Sequence, residues 1–201
     1  VWGVIQRALV AADDTRQPTR LPLAILVSGG GNDVHQRLKL GEPKPLCAML
    51  NDASAGQPVF NALKDSFIQT RIAGDLRTVL HNLTRVTQGR IPVLVQGYDF
   101  PIPDGRRHSL MFGPWLKPCI TDQHGHDPLT AGRAIMHALI TALNQQIATV
   151  VAEFAGHNVH HADLTGVLGS ANYKDDWANE LHPTDAGFTA LATKLLTYIP
   201  V

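Results

Sequence analysis

The sequence has no surplus of either charge and no long apolar run. It contains 17 basic and 17 acidic residues among 201, and this balance argues against nucleic-acid binding, which needs a basic surplus on one face. No apolar run approaches the roughly 20 residues of a membrane-spanning helix, so we expect no membrane span. No signal peptide is visible, but the chain begins at Val1 rather than at Met, which leaves room for sequence removed upstream. The compartment stays undetermined.

Cysteine is scarce, and metal-site patterns are absent. Cys47 and Cys119 form either one disulfide or two buried thiols, because two cysteines fix neither a framework nor a compartment. Histidines cluster at His157, His160 and His161, but no Cys-x-x-Cys or His-Glu-x-x-His spacing accompanies them. On a strand, His160 and His161 face opposite sides. We therefore expect no metal site.

Short apolar stretches alternate with helical patterns along the chain. The hydrophobic content of 44% is ordinary for a globular protein, and 201 residues are most simply one domain. Short apolar runs predict three buried strands, at 21–27, 91–95 and 159–164. Apolar residues at helical spacing predict four helices, around 2–12, 68–83, 128–154 and 188–195.

The order of these elements predicts a parallel sheet. Strands separated by helices imply right-handed crossovers and a three-layer α/β domain. The first strand, almost wholly apolar, is expected to be buried on both faces. In such sheets ligands bind beyond the carboxyl ends of the strands. We therefore expect the loops that follow Val27, Val95 and Leu164 to meet at one edge.

Polar residues, glycines and prolines set the predicted ends of the helices. Asp65 or Ser66 caps the second helix, and Gly89 stops it. Asp127-Pro128 opens the longest helix, which runs to Gly156.

Two segments are predicted to be loops. Residues 39–58 carry prolines, glycines and small polar residues. Residues 99–128 form a long insert rich in Pro, Gly, His and aromatic residues, and a loop of that length in a compact domain is usually a lid or a binding loop. Its aromatic side chains, Phe100, Phe112 and Trp115 among them, either line a pocket at the sheet edge or anchor the insert.

The first candidate functional segment follows the first predicted strand and reads Ser28-Gly29-Gly30-Gly31-Asn32-Asp33. Glycines there allow positive φ and close approach to a ligand. Asn32 presents an amide donor that can stabilise an oxyanion, a contribution of about 3 kcal/mol. A nucleotide-binding fingerprint fails, because Val34 stands where its third glycine belongs. The alternative is a turn in which Asn32 and Asp33 cap a following helix.

The second candidate segment precedes the last predicted helix and reads Trp177-Ala178-Asn179-Glu180-Leu181-His182-Pro183-Thr184. His182, fixed by the proline after it, suits a general base that takes a proton from a serine and returns it to the leaving group. The alternative is a histidine packed on the helix start, with Pro183 and Thr184 as ordinary capping residues.

Together the two segments resemble blocks III and V of the SGNH (GDSL-like) hydrolase superfamily, a likeness that extends to the flanks "LVSGGGNDV" and "WANELHPTDAGF". The resemblance implies a flavodoxin-like three-layer α/β/α sandwich, of which residues 1–201 form the C-terminal portion. It makes Asn32 the oxyanion-hole amide and His182 the catalytic base. Gly30, Gly31 and Asp33 then shape the loop that holds Asn32.

The sequence departs from the family pattern at its start. The family opens with a Gly-Asp-Ser element that carries the nucleophile, and no such tripeptide occurs in 1–27. The glycine of the second block, a backbone donor to the oxyanion hole, cannot be located either. Roughly two strands and a helix of the expected sandwich are therefore missing at the N-terminal side.

A further departure concerns the partner of the catalytic histidine. The family commonly has Asp three residues before it, where this chain has Asn179. The neighbouring Glu180 is one substitute, and Asp163, Asp175 and Asp176 are others. A further alternative is a catalytic dyad of serine and histidine, in which a carbonyl oxygen takes the place of the acid and orients the histidine.

The resemblance implies hydrolysis of carboxylic esters through an acyl-serine intermediate, which needs no cofactor. We expect the serine to lie upstream, on an N-terminal polypeptide segment that completes the domain. Ser28 is an outside candidate, since Leu26 stands where a Gly-x-Ser-x-Gly elbow needs glycine. The alternative function is a catalytically inactive α/β domain that binds a ligand or a partner, since a free sheet edge invites pairing with another chain.

Overall fold

The computed structural model describes residues 22–35, 43–109, 112–169 and 172–199. The helix predicted around 2–12 and the predicted start of the first strand at Leu21 lie outside these residues. Within them the protein is a mixed α/β structure with one small, open, parallel sheet.

Three parallel strands form this sheet, in the order β1-β2-β3. They are β1 (Ile25–Val27), β2 (Val93–Gln96) and β3 (Val159–Ala162). Val93 of the central strand lies opposite Ile25 on one side and Val159 on the other. The sequence therefore predicts where all three strands lie, but not their bounds. It begins β1 and β2 too early, ends β2 one residue too soon and ends β3 two residues too late, at Leu164.

The prediction that the first strand is buried on both faces is wrong. Ile25 and Val27 pack against the main core, which contains Val93 and Val95 of β2. Leu26 points to the opposite face, because side chains alternate along a strand, and it is 52% exposed. β1 pairs only with β2 in the part of the chain that the structure describes. An apolar run alone does not reveal that one face of its strand keeps contact with solvent.

Two short helices follow β1, α1 (Gly31–His35) and α2 (Pro45–Met49). The second corrects the prediction that 39–58 is loop, as does a 3₁₀ turn at Ala53–Ala55. Pro45 occupies the first turn of α2, where its missing N–H costs nothing. Pro45 and Gly56 therefore mark the ends of short elements.

A long helix, α3, precedes β2. It consists of three consecutive segments, Leu63–Ser66, the π-helical Phe67–Ile72, and Ala73–Thr87. The predicted caps Asp65 and Ser66 lie inside its first turn, and Asn61 accepts the Leu63 N–H through Oδ1 at 2.9 Å. The predicted stop at Gly89 is confirmed, since the backbone turns left-handed there (φ 73°).

The longest helix is α4 (Ala131–Ala152), which places its apolar stripe in the main core. It begins later than predicted, because Asp127 caps a separate turn by accepting the N–H groups of Leu129 and Thr130. It also ends before Gly156, which lies in a 3₁₀ turn. In the described residues, α4 is the one helix long and apolar enough to cross a membrane, and half of that stretch is buried in the protein, as in a core helix.

A disulfide between Cys47 and Cys119 joins α2 to a π-helical turn, Pro118–Gln123. The two Cα atoms are 4.7 Å apart, and this settles the pairing that the sequence leaves open. His124, next to the turn, places Nδ1 2.8 Å from the Asp52 carboxylate and Nε2 2.8 Å from the Cys47 carbonyl.

The segment 99–128 is not irregular throughout, since it contains that π-helical turn. Before the turn, its described residues form only an isolated bridge between Ser109 and Phe112. The chain closes with α5 (Tyr173–Asp176) and α6 (Asp185–Leu196), and α6 confirms the predicted last helix.

Candidate functional site

The glycine-rich loop leaves β1 at Val27 and turns into α1. Gly30 has φ +100°, a conformation that favours glycine. Gly31 lies so close to Tyr98 that a Cβ there would stand 2.8 Å from the ring, and its N–H donates to the Tyr98 hydroxyl at 3.3 Å. Asn32 and Asp33 follow in the first turn of α1, so the need for glycine here comes from backbone geometry and from Tyr98.

Tyr98 follows β2, and a buried amide fixes its backbone. Asn144 of α4 accepts the Tyr98 N–H at 2.8 Å and donates to its carbonyl at 2.7 Å. A third bond, donated to the Thr165 hydroxyl, measures 3.3 Å, so Asn144 links the loops after β2 and β3. Sequence reasoning missed this residue, although an amide between Leu143 and Ile147 interrupts the apolar stripe of α4.

His182 lies in a tight loop between α5 and α6. Trp177 and Pro183 form an isolated antiparallel bridge, and the Ala178 N–H donates to the His182 carbonyl at 2.9 Å. Thr184 then caps α6 by accepting the Gly187 N–H at 3.1 Å. The predicted capping role of Thr184 is therefore confirmed, and the same loop presents the histidine ring.

Asn179 is hydrogen-bonded to the ring of His182. Its Oδ1 accepts three hydrogen bonds, from Leu181 N at 3.0 Å, from His182 N at 2.9 Å and from His182 Nδ1 at 3.0 Å. The two backbone donors identify this atom as the amide oxygen, which only accepts. Nδ1 therefore carries the hydrogen, and Nε2 keeps its lone pair in the neutral ring.

Glu180, the other predicted partner, faces away from the histidine. Its carboxylate accepts four backbone N–H groups of the insert, those of Gly105, Trp115, Leu116 and Lys117. It is fully buried. The neighbouring residues Asn179 and Glu180 thus bind different groups: Asn179 binds the His182 ring, and Glu180 binds the backbone of the insert.

The remaining acidic candidates have other contacts. Asp163 accepts from the N–H and hydroxyl of Thr165 at 2.9 and 2.6 Å, and these bonds lower the pKa of its carboxyl. Asp175 and Asp176 lie in α5. Over the described ranges, Asn179 is the hydrogen-bond partner found for the imidazole nitrogens of His182.

Ser28 stands at the end of β1 and is exposed. Its hydroxyl oxygen accepts a hydrogen bond from Gln96 Nε2 at 3.0 Å. No serine of the described segments is hydrogen-bonded to His182, so a nucleophile paired with its base is not assembled within them.

The three predicted loops line one cavity of about 420 Å³ at the carboxyl edge of the sheet. Both Asn32 and His182 contribute to its wall. Ser28 does so as well. The rest of the lining is mostly apolar and includes Val34, Tyr98, Pro101, Leu116, Met136, Ile140, Leu164, Leu168, Leu181, Phe188 and Leu191.

The aromatic residues of the insert do not form this lining, which includes Asp99, Pro101 and Leu116 of that segment. Phe100 stacks on His137 with ring centroids 4.2 Å apart, which anchors the insert to α4. Trp115 meets the His182 ring edge-on at 5.3 Å. Phe112 is exposed.

Electrostatics favour the neutral form of His182. The side chain keeps solvent contact, but partial burial of the ring lowers its pKa, and the nearby His108 lowers it further. Burial also lowers the pKa of His161 on β3. A neutral ring with a free Nε2 is the form that accepts a proton.

No three His, Cys, Asp or Glu side chains of the described residues come together as a metal site.

No model of a known protein family matches the chain, and no curated protein matches its sequence.

Proposed function

We propose that this chain carries the oxyanion-binding and general-base parts of an SGNH-type site that hydrolyses carboxylic esters through an acyl-serine intermediate. The observation that supports it best is that Asn32, on its glycine-rich loop, and the oriented ring of His182 line one cavity. These are the residues that the resemblance makes oxyanion donor and base.

In the proposed reaction, a serine Oγ attacks the ester carbonyl carbon while Nε2 of His182 takes its proton. The Asn32 amide donates to the oxyanion that develops on the carbonyl oxygen. The tetrahedral intermediate collapses, and the alcohol leaves with the proton from His182. Water, deprotonated by the same nitrogen, then releases the carboxylic acid and restores the serine. No step needs a cofactor.

Asn179 takes the place of the usual aspartate in this proposal. It holds the ring in the tautomer with a free Nε2, as an aspartate does, but adds no negative charge. The apolar lining of the cavity suits an ester with an apolar acyl group.

The attacking serine belongs, in this proposal, to a polypeptide segment upstream of Val1 that also completes a three-layer α/β/α sandwich. Leu26 is exposed, and one edge of β1 has no partner strand among the described residues. Both support this part, because they offer a face and an edge on which further elements can pack. A Gly-Asp-Ser sequence in that segment is the expected signature.

The test is labelling with a fluorophosphonate, read as intact mass. We expect no adduct on the 201-residue chain alone. With any polypeptide encoded upstream of Val1 present, we expect one adduct that disappears in His182→Ala and persists in His160→Ala, a change at an exposed histidine on β3. An adduct on the isolated chain that Ser28→Ala abolishes would make Ser28 the nucleophile. A complete domain that stays unlabelled would refute the esterase proposal.

The second candidate is an inactive α/β domain that binds an apolar carboxylate or a partner, and the absence of a described serine bonded to His182 favours it. Octanoate is a suitable probe, because it resembles the acid product of the proposed reaction. Shifts of the His182 ring signals on octanoate addition, without any fluorophosphonate adduct, would support binding without catalysis.

A further inference from the structure

Glu180 is the most fully satisfied buried carboxylate of the described residues. It is 0% exposed. One oxygen accepts the N–H groups of Trp115 and Leu116 at 2.5 and 2.8 Å, and the other accepts those of Gly105 and Lys117 at 3.0 Å each. An ionised carboxylate has about four acceptor positions, so the insert uses all of them.

These bonds substitute for secondary structure in the insert. Between β2 and the π-helical turn, the described backbone has neither helix nor regular strand. Glu180 fixes it at two places, at Gly105 and across residues 115–117. A bond from Arg106 Nη1 to the Trp177 carbonyl, at 2.5 Å, adds a second tie between the insert and the His182 loop.

The backbone that Glu180 holds carries the neighbours of the His182 ring. Trp115 packs edge-on against it at 5.3 Å, and His108 lies 6.4 Å from it, centroid to centroid. Leu116, next in the chain, lines the cavity. The position of these groups relative to His182 therefore depends on one carboxylate two residues away from it.

We propose that Glu180 is a positioning residue for His182, acting through the insert: it holds Trp115 against the imidazole and His108 near it, and so sets how far water reaches the ring. The inference rests on the proposed function only in taking His182 as the base. Glu180 does not itself line the cavity, and its carboxylate is bound to backbone amides of the insert and not to the ring, so its role differs from the orienting role of Asn179.

The proton affinity of His182 reports this arrangement. Partial burial lowers its pKa first, and the charge of His108 lowers it further. The other titratable groups around it are Asp33 and Asp99 across the cavity and Glu180 on its own loop. Release of the insert admits water and removes His108, and both changes raise the pKa of His182 toward its ordinary value.

The experiment compares Glu180→Gln with Glu153→Gln by following the His182 ring signals in NMR as a function of pH. Glutamine keeps the shape but offers one accepting oxygen, so two of the four insert amides lose their acceptor. We expect a higher His182 pKa and faster hydrogen exchange at the amides of 115–117. Glu153, an exposed carboxylate bound by Arg77, is the matched control and should leave both unchanged.

An unchanged His182 titration in folded Glu180→Gln would overturn the proposal. If that variant does not fold, two other measurements test the proposal. In the unaltered protein the amides of 115–117 must exchange slowly as a group, and in His108→Asn the pKa of His182 must be raised. Fast exchange, or an unmoved pKa, refutes the inference.

Neither readout needs a nucleophile or a substrate, so failure of the esterase proposal stays distinguishable from failure of this one. Once an active form is available, Glu180→Gln should lower kcat/KM about 10- to 100-fold, the scale expected when catalytic groups shift by about 1 Å. The pH at which activity rises should move upward with the His182 pKa. A loss of activity without that movement would indicate a merely structural role.

Discussion

Asn179 orients His182 with three hydrogen bonds to one amide oxygen. An aspartate in the same place would make the same bonds and add a negative charge beside Nδ1. The chain therefore separates two effects that an acidic partner combines, the choice of tautomer and the stabilisation of the imidazolium.

Asn179→Asp tests that separation. The new carboxylate beside Nδ1 favours the protonated ring, so we expect a higher pKa for His182. NMR titration of the ring measures it. Asn82→Asp, on α3 and outside the lining of the cavity, is the control and should leave the titration in place. An unchanged pKa in Asn179→Asp would show that the pair seen here does not persist in solution.

Asn144 holds both backbone groups of Tyr98, and Tyr98 in turn contacts the glycine-rich loop. Asn144→Leu keeps the size of the side chain but leaves the Tyr98 N–H and carbonyl without their partner. We expect the free energy of unfolding to fall by about 3 kcal/mol. Chemical denaturation measures this, and Gln145→Leu, at an exposed position of the same helix, should change it by less than about 0.5 kcal/mol.

At the scale of elements, the sequence predicts what depends on local pattern. The three strands follow from short apolar runs, α4 and α6 follow from apolar residues at helical spacing, and Gly89 is a true helix stop. Boundaries that depend on a single side chain were less predictable. Asp127 is a good cap, but the turn it caps lies before α4, and a cap residue does not encode which turn continues as a helix.

The disulfide is the element-scale feature that the sequence leaves open. Cys47 and Cys119 are 72 residues apart, and the spacing of two cysteines carries no distance in space. Once paired, they restrict the unfolded chain. Loop-closure entropy for a ring of this size gives about 4 kcal/mol.

Replacing both cysteines with alanine should therefore lower the free energy of unfolding by about 4 kcal/mol, with most of the effect arising in the unfolded state. Denaturation of the oxidised chain, the reduced chain and the double variant measures it. The reduced chain and the variant should agree closely. A loss below about 1 kcal/mol would mean that the bridge is absent in solution.

At the scale of the whole molecule, the candidate site was predictable as a place. Parallel strands put their carboxyl ends at one edge, and the loops after β1, β2 and β3 do line one cavity. The hydrogen bonds within the site were not predictable. Asn179 and Glu180 are adjacent and both polar, and only the path of the loop and of the insert determines that one faces the ring and the other the insert backbone.

Stability should depend on pH through His161 and His182, whose pKa values are lowered in the folded protein. Burial lowers the pKa of His182 and of His161 below the ordinary value of 6.5. As pH falls through about 6.5, the unfolded chain therefore binds protons that the folded protein does not, and the folded state loses stability.

Denaturation at pH values of about 7.5 and 5.5 should show a lower unfolding free energy at the acidic pH. In the double variant His161→Gln, His182→Gln this decrease should be smaller, whatever the absolute stability of the variant. A decrease of equal size in both proteins would assign the effect to other groups.

The ring that Cys47 and Cys119 close also governs what a protease can achieve. It encloses α3, β2 and most of the insert, including the exposed Arg107. A tryptic cut after that residue opens the backbone but leaves both halves in one covalent molecule. The nicked protein should migrate as a single species without reductant and as two fragments with it. The disulfide therefore keeps the protein one covalent molecule after its backbone has been cut.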